Sequence, residues 1–189
     1  MLSLDLGDDL TLTGLEPWQA AEFAAFVAAE QDHLSPWLPW GSALAEEEPA
    51  RAFLQRYADG TAQDGPRIYA LRLGGRVGGR MVGGTLFRTF EAGAGSCELG
   101  VWLAADAQGH GYVTRAVAAM LDWALLERGL HRAEWHCVPE NTASRNVAKR
   151  LGLTLDGTTR ESWHHAERWW DTEIWSILAP EWRAARAGG

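Results

Sequence analysis

The chain has 189 residues, 47% of them hydrophobic, which suits one globular domain with its own core, and no run reaches the ~18 apolar residues of a membrane span. A formal net charge of −8, with Lys149 the only lysine, argues against nucleic acid as a partner, because phosphate contacts need clustered basic side chains. The acidic start, MLSLDLGDDL, is unlike the basic flank of an export signal, so a cytoplasmic protein is expected, with Cys97 and Cys137 as two buried thiols.

In chain order, EPWQAAEFAAFVAAEQDHL spaces Phe23, Phe26, Val27 and Leu34 at helical intervals, with Pro17 where a first turn tolerates it. SPWLPWG follows as a Pro-punctuated loop, then AEEEPARAFLQRYADG as a second helix, acidic at its start and closed by Gly60. Three strands are predicted next: RIYALRL, alternating and ending at Gly74-Gly75, then RMVGGTLFRTF, then SCELGVWLA after the turn EAGAGS. GYVTRAVAAMLDWALLERG is the best helix. Val113, Val117, Met120, Leu121, Ala124 and Leu125 form one apolar stripe, and Gly129 stands as its C-cap. HRAEWHCV reads as a strand and NTASRNVAKRLG as a short helix between an Asn141 N-cap and Gly152. Strands over TLDGTTRES and WWDTEIWSIL finish a mixed α/β sheet. No repeat or linker interrupts residues 1–189, so a single domain is expected.

Strand, glycine-bearing turn and helix start at ADAQGHGYVTRAV make an anion site: free backbone amides point outward and the helix dipole favours negative charge. Gly109 and Gly111 remove side chains where a phosphate must come close, or else ease a tight turn. A P-loop is excluded, because Lys149 is far from any glycine loop. A dinucleotide fingerprint fits poorly, because its third glycine would fall on Thr114.

A third cradle fits residue by residue. Gln108-Gly109-His110-Gly111-Tyr112-Val113 resembles the Q/R-x-x-G-x-G/A signature of GNAT-superfamily N-acetyltransferases, with Val113 replacing the usual Gly or Ala. HLSPWLPW, CELGVWLAADAQGHGYVTRAV, VPENTASRNVAKRLGLTLDG and WWDTEIWSILAPEW resemble the RimJ/RimL-like branch of that superfamily over essentially the whole chain, with Leu153 in place of a usual Phe. The resemblance implies an α+β GNAT domain, whose mostly antiparallel sheet splays between its fourth and fifth strands. It also implies acetyl-CoA as donor. The pantetheine would pair with the backbone of Val101, Trp102 and Leu103, and the pyrophosphate would sit on amides from Gln108 to Thr114, beside His110.

Acetyl transfer to an amine needs a base for the amine, a polarised thioester carbonyl and an acid for the thiolate. Glu98 is the base candidate: it is the only ionisable residue of CELGVWLA, and an isolated carboxylate there should have a raised pKa. The alternative is a Glu hydrogen-bonded to a neighbouring strand or facing solvent. Ser144 in PENTAS is the acid candidate, at the place where RimL-like enzymes carry a serine; a Ser near a helix start is also ordinary. Asn141 would cap the helix, bind the pantetheine arm, or both. Glu134 and His136 share a strand face and form a second acid–base pair. His164-His165 lacks a third ligand at metal spacing, so no metal is expected.

Eleven tryptophans stand out. Trp102 and Trp135 read as core against the sheet. Trp37, Trp40, Trp163 and Trp170 lie in regions that flank the acceptor in this family, and aromatic walls suit a flat or cationic amine. The acceptor expected is the primary amine of a small molecule or peptide-like compound. Alternatives are the N-terminal α-amine of a ribosomal or other protein, and a catalytically silent acyl-CoA-binding module. Exposed tryptophans near the C-terminus would suit a homodimer interface.

Overall fold

Eight strands form one sheet in the order β1-β2-β3-β4-β5-β6-β8-β7 in the computed structural model, which describes residues 3–75 and 79–188. The strands are β1 (Ser3–Asp5), β2 (Leu10–Gly14), β3 (Arg67–Leu73), β4 (Arg80–Glu91), β5 (Ser96–Leu103), β6 (Arg132–Cys137), β7 (Thr154–His165) and β8 (Arg168–Leu178). The helices are α1 (Ala20–Ala29), α2 (Gln31–Leu34), α3 (Glu47–Ala62), α4 (Tyr112–Leu121), α5 (Thr142–Arg150) and α6 (Ala179–Ala187). The pairs β1/β2, β2/β3, β6/β8 and β7/β8 are antiparallel, and β5/β6 is parallel. The parallel ladder runs only from Ser96–Arg132 to Leu99–Trp135, while β5 continues to Leu103 and β6 to Cys137. Among the described residues no helix is long and apolar enough to cross a membrane.

Several elements depart from expectation. The β1–β2 hairpin was not predicted: β1 is three exposed residues, and its turn runs through Gly7, Asp8 and Asp9, all at positive φ. The first helix is broken at Glu30, where the apolar spacing of Phe23, Ala24 and Val27 gives way to the polar run EQDH. Gly60 does not close α3, which runs to Ala62. A Cβ at Gly60 would stand 2.8 Å from the Pro66 carbonyl oxygen, so the glycine serves close packing. β3 does not alternate: every residue from Arg67 to Arg72 is buried. Arg72 tolerates this because Glu22 accepts from both its Nη atoms, at 2.5 and 2.6 Å, and the Gly79 carbonyl accepts a third bond. After α4 the helix widens into a π-turn over 122–127, ended by Gly129 at φ +72°. There Asp122 accepts from Trp182 and pairs with Arg186 of α6, a helix not predicted, although Pro180 and Glu181 mark its start.

By internal contacts the chain forms two compact units, residues 1–86 with 101–116, and residues 87–100 with 117–189. The first has an aromatic core of Phe23, Phe53 and Trp102, with Trp40 packed on it. Gly83 and Gly84 of β4 let Trp102 lie directly against that strand. In the second, Phe87, Phe90 and Trp123 pack together, and Leu125, Ala133, Trp135 and Ile177 are fully or almost fully buried.

Candidate functional site

In the first unit the glycine turn follows β5 directly. Ala105–Ala107 make one 3-10 turn, Gln108 is extended, and Gly109 and Gly111 take φ +83° and +73° before α4 begins. A Cβ built on either glycine meets nothing within 4 Å. The glycines are therefore required by backbone conformation, and the space over them is open to an approaching group. Arg115 N is bonded to the Gly111 carbonyl, so by helix geometry the amides of Tyr112, Val113 and Thr114 have no acceptor within the helix. Gln108 to Gly111 are exposed, whereas Val113 is buried. Its side chain points into the protein, so a valine in place of Gly or Ala does not obstruct the outer face.

The turn is held by groups that the sequence did not reveal. Glu30 Oε2 accepts from Ala105 N at 2.9 Å, and the Gln108 amide lies 3.0 Å from His33 Nε2. Arg115 donates to the Leu6 carbonyl and to Asp8, and its guanidinium lies 5.5 Å from the centre of the Tyr112 ring, which stacks on His110. Of the expected pantetheine strand, Val101 and Leu103 are half-buried and Trp102 is buried.

The second unit holds the acid–base candidates. Glu98 of β5 is 8% exposed but is not isolated. Arg88 Nε of β4 donates to Glu98 Oε1 at 2.7 Å, and His136 Nδ1 lies 3.6 Å from the same oxygen. The unpartnered carboxylate read from CELGVWLA is thus corrected to an ion pair, whose partner comes from the other arm of the β4–β5 turn. Glu98 and Glu134 are register neighbours in the parallel ladder. Glu134 and His136 share a face as expected: His136 Nε2 is 2.8 Å from Glu134 Oε2, and Arg132 Nε donates to Glu134 Oε1. Burial opposes the charge on Glu134, but hydrogen bonds from Arg132 and His136 hold its carboxyl below the usual value. Arg132 also reaches Ser176 and Asp156, and hydrogen bonds from Arg132 and Ser176 hold the Asp156 carboxyl below its usual value.

Asn141 Oδ1 accepts from Ser144 N at 3.0 Å and so caps α5. Asn141→Ala should lower stability by about 1 kcal/mol, seen as a lower urea midpoint with unchanged slope. Ser144 Oγ in turn accepts from the Trp135 indole N–H at 2.8 Å. Both cysteines are free and buried. Burial pushes the Cys97 thiol up to about 12 and the Cys137 thiol up to about 11, the latter against a hydrogen bond with Ser144.

The tryptophans divide. Trp40 belongs to the first unit's aromatic core, 5.8 Å from Trp102, and Trp37 is half-buried in the loop before it. Trp163 stacks on His165 at 4.6 Å near the β7–β8 turn, with Trp170 beyond it, while Trp169 is 58% exposed beside His164.

Residues 12–154 match the model of the acetyltransferase (GNAT) domain family. The uncharacterised N-acetyltransferase YnaD of Bacillus subtilis is 27% identical, over 87% of this chain and 89% of its own. The fold is that of the microcin C7 self-immunity acetyltransferase MccE, solved with acetyl-CoA and AMP (TM-score 0.82, 20% identity, 92% of this chain and 94% of that one). It is also that of the ribosomal-protein-S5-alanine acetyltransferase of Vibrio fischeri (TM-score 0.86, 20% identity, 96% and 99%).

Proposed function

The chain belongs to the acetyltransferase (GNAT) domain family and takes acetyl-CoA as its donor, and on that premise we propose that it acetylates the primary amine of a small-molecule or peptide-like acceptor. The observation that carries the donor half is the turn at 108–114: two glycines at positive φ, open space over both, and a helix start with unpaired amides. That is the chemistry a diphosphate requires. The donor supplies an acetyl thioester; the chain's own residues bind it and move protons.

Glu98 is the base in this reading and Ser144 the acid. The Trp135 N–H donated to Ser144 Oγ supports the second role, because it stabilises the oxygen as its own proton leaves. Asn141 holds Ser144 by its backbone, and Val101–Leu103 offer strand amides and carbonyls to the pantetheine arm. For the acceptor, the net charge of −8 favours a cationic amine, and the Trp163–His165–Trp170 group offers flat faces for stacking. Trp37 and Trp40 remain part of the proposed acceptor surface, though the packing of Trp40 gives that ring a core role as well.

Thermal unfolding with acetyl-CoA, and with NADH as control, tests the donor. At ~100 times its dissociation constant acetyl-CoA should add about 2.7 kcal/mol, while NADH adds nothing. No shift at saturating acetyl-CoA would refute the cradle. Thiol release then separates the acceptors, with peptides bearing a free N-terminal Ala against small aromatic and nucleotide-linked amines. Turnover of the peptides alone would replace the small-molecule reading with protein α-amine acetylation.

A further inference from the structure

His136 has a carboxylate at each ring nitrogen. Glu134 Oε2 is 2.8 Å from Nε2, within hydrogen-bond distance, and Glu98 Oε1 is 3.6 Å from Nδ1, beyond it. An ionised carboxylate only accepts, so Glu134 fixes the neutral ring with its proton on Nε2. The Nδ1 lone pair then faces a carboxylate oxygen with no proton between them. One more proton would turn that gap into a charge-assisted hydrogen bond.

The charges around the ring favour its arrival. Facing His136 are Glu98 from β5, with Arg88 of β4 behind it, and Glu134 on β6 itself. Arg132 of β6, Ser176 of β8 and Asp156 of β7 stand behind Glu134, and Ile174 of β8 is the register neighbour of His136. Three carboxylates against two guanidiniums leave one negative charge unmatched, which a proton on the imidazole cancels. Arg88 Nε already donates to Glu98 Oε1, and the unprotonated Nδ1 is the ring atom turned towards that same oxygen.

We propose that His136 is a positioning residue for acetyl transfer that draws the acceptor's proton through Glu98 and holds it on Nδ1, with Glu134 fixing the ring. The proposal rests on Glu98 being the base. The acceptor ammonium loses two protons overall. In the first loss an N–H bond breaks, its electron pair stays on nitrogen for attack, and the proton passes by way of the Glu98 carboxylate to His136 Nδ1 and later to water. The second proton ends on the CoA sulfur, which leaves with the electron pair of the broken C–S bond.

The ring can be read directly in the protein labelled with 15N-histidine. His136→Gln assigns its signals among the six histidines. The neutral ring should be the Nε2–H tautomer, and Glu134→Gln, whose oxygen stays with Arg132 and whose NH2 then faces Nε2, should move it to the Nδ1–H tautomer. An Nδ1–H tautomer in the parent protein, or a tautomer unmoved by Glu134→Gln, would overturn the proposal without any assay of turnover. Kinetics on the best amine of the thiol-release screen adds the functional arm. His136→Gln should lower kcat at least ~10-fold, leave KM for acetyl-CoA within ~2-fold, and remove the acidic limb of the kcat–pH profile. Should Glu98→Gln keep full activity, the base assignment fails. Should Glu98→Gln lose activity while His136→Gln keeps kcat and limb alike, only the relay fails. His136→Asn serves if the glutamine variant does not fold.

Discussion

Gly84→Ala should destabilise the protein by about 3 kcal/mol or more, among the largest effects of any single methyl group in this chain. A Cβ there would lie 2.1 Å from Trp102 Cζ2 and 2.5 Å from the Tyr69 carbonyl oxygen. Neither can move cheaply. The oxygen belongs to the backbone of β3, a strand buried from Arg67 to Arg72. The indole is 3% exposed and has Phe23 and Trp40 at 5.9 and 5.8 Å. Urea unfolding would measure the loss, with Gly157→Ala as control, since a Cβ at Gly157 meets nothing within 4 Å. The control should shift stability by no more than about 0.5 kcal/mol. Trimming the ring as well, in Gly84→Ala/Trp102→Leu, should return part of the loss, so that the two substitutions together cost at least ~1 kcal/mol less than their sum. Additive costs would mean that the strain lies against Tyr69 alone.

That clash shows where sequence reasoning stopped. RMVGGTLFRTF was recognisable as a strand despite its glycine pair, but the reason for the pair lies on β5, in a tryptophan that only the sheet brings there. Elements bounded by local signals were legible: RIYALRL is β3 as predicted, and α5 sits between its Asn141 cap and Gly152. The β1 strand was not, because three exposed residues bury nothing that could leave a periodic trace. Inside the site the same division holds. The turn proposed as the cradle is a backbone property and is written in the spacing of Gly109 and Gly111. The partners of side chains are not local. Glu30 and His33 reach the turn from 75 residues away, and Arg88 reaches Glu98 across a hairpin. Glu98 therefore looked isolated, although Arg88 pairs with it and His136 and Glu134 stand beside it.

Glu98→Gln should lower kcat by about 100-fold or more, with KM for acetyl-CoA little changed and the fold intact. Glutamine has nearly the shape of glutamate. Its amide oxygen, in the place of Oε1, can still accept from Arg88 Nε, and the gap to His136 Nδ1 is no hydrogen bond in the parent. The bond from Arg88 survives while the proton acceptor is gone. Stability should change little for a second reason. The Arg88 side chain is 63% exposed, so its charge is hydrated whether or not Glu98 answers it, and such a pair contributes at most about 1 kcal/mol. Arg88→Gln separates the ion pair from the chemistry: it should leave unfolding nearly unchanged and lower kcat far less than Glu98→Gln does. If Glu98→Gln stays within ~3-fold of the parent enzyme, Glu98 is a structural carboxylate. The amine would then lose its proton to water, or to the Glu134–His136 pair acting alone. A 100-fold loss in a variant that unfolds at the parent's urea midpoint assigns the effect to the lost basicity of that carboxylate, because the bond from Arg88 and the shape of the side chain are kept.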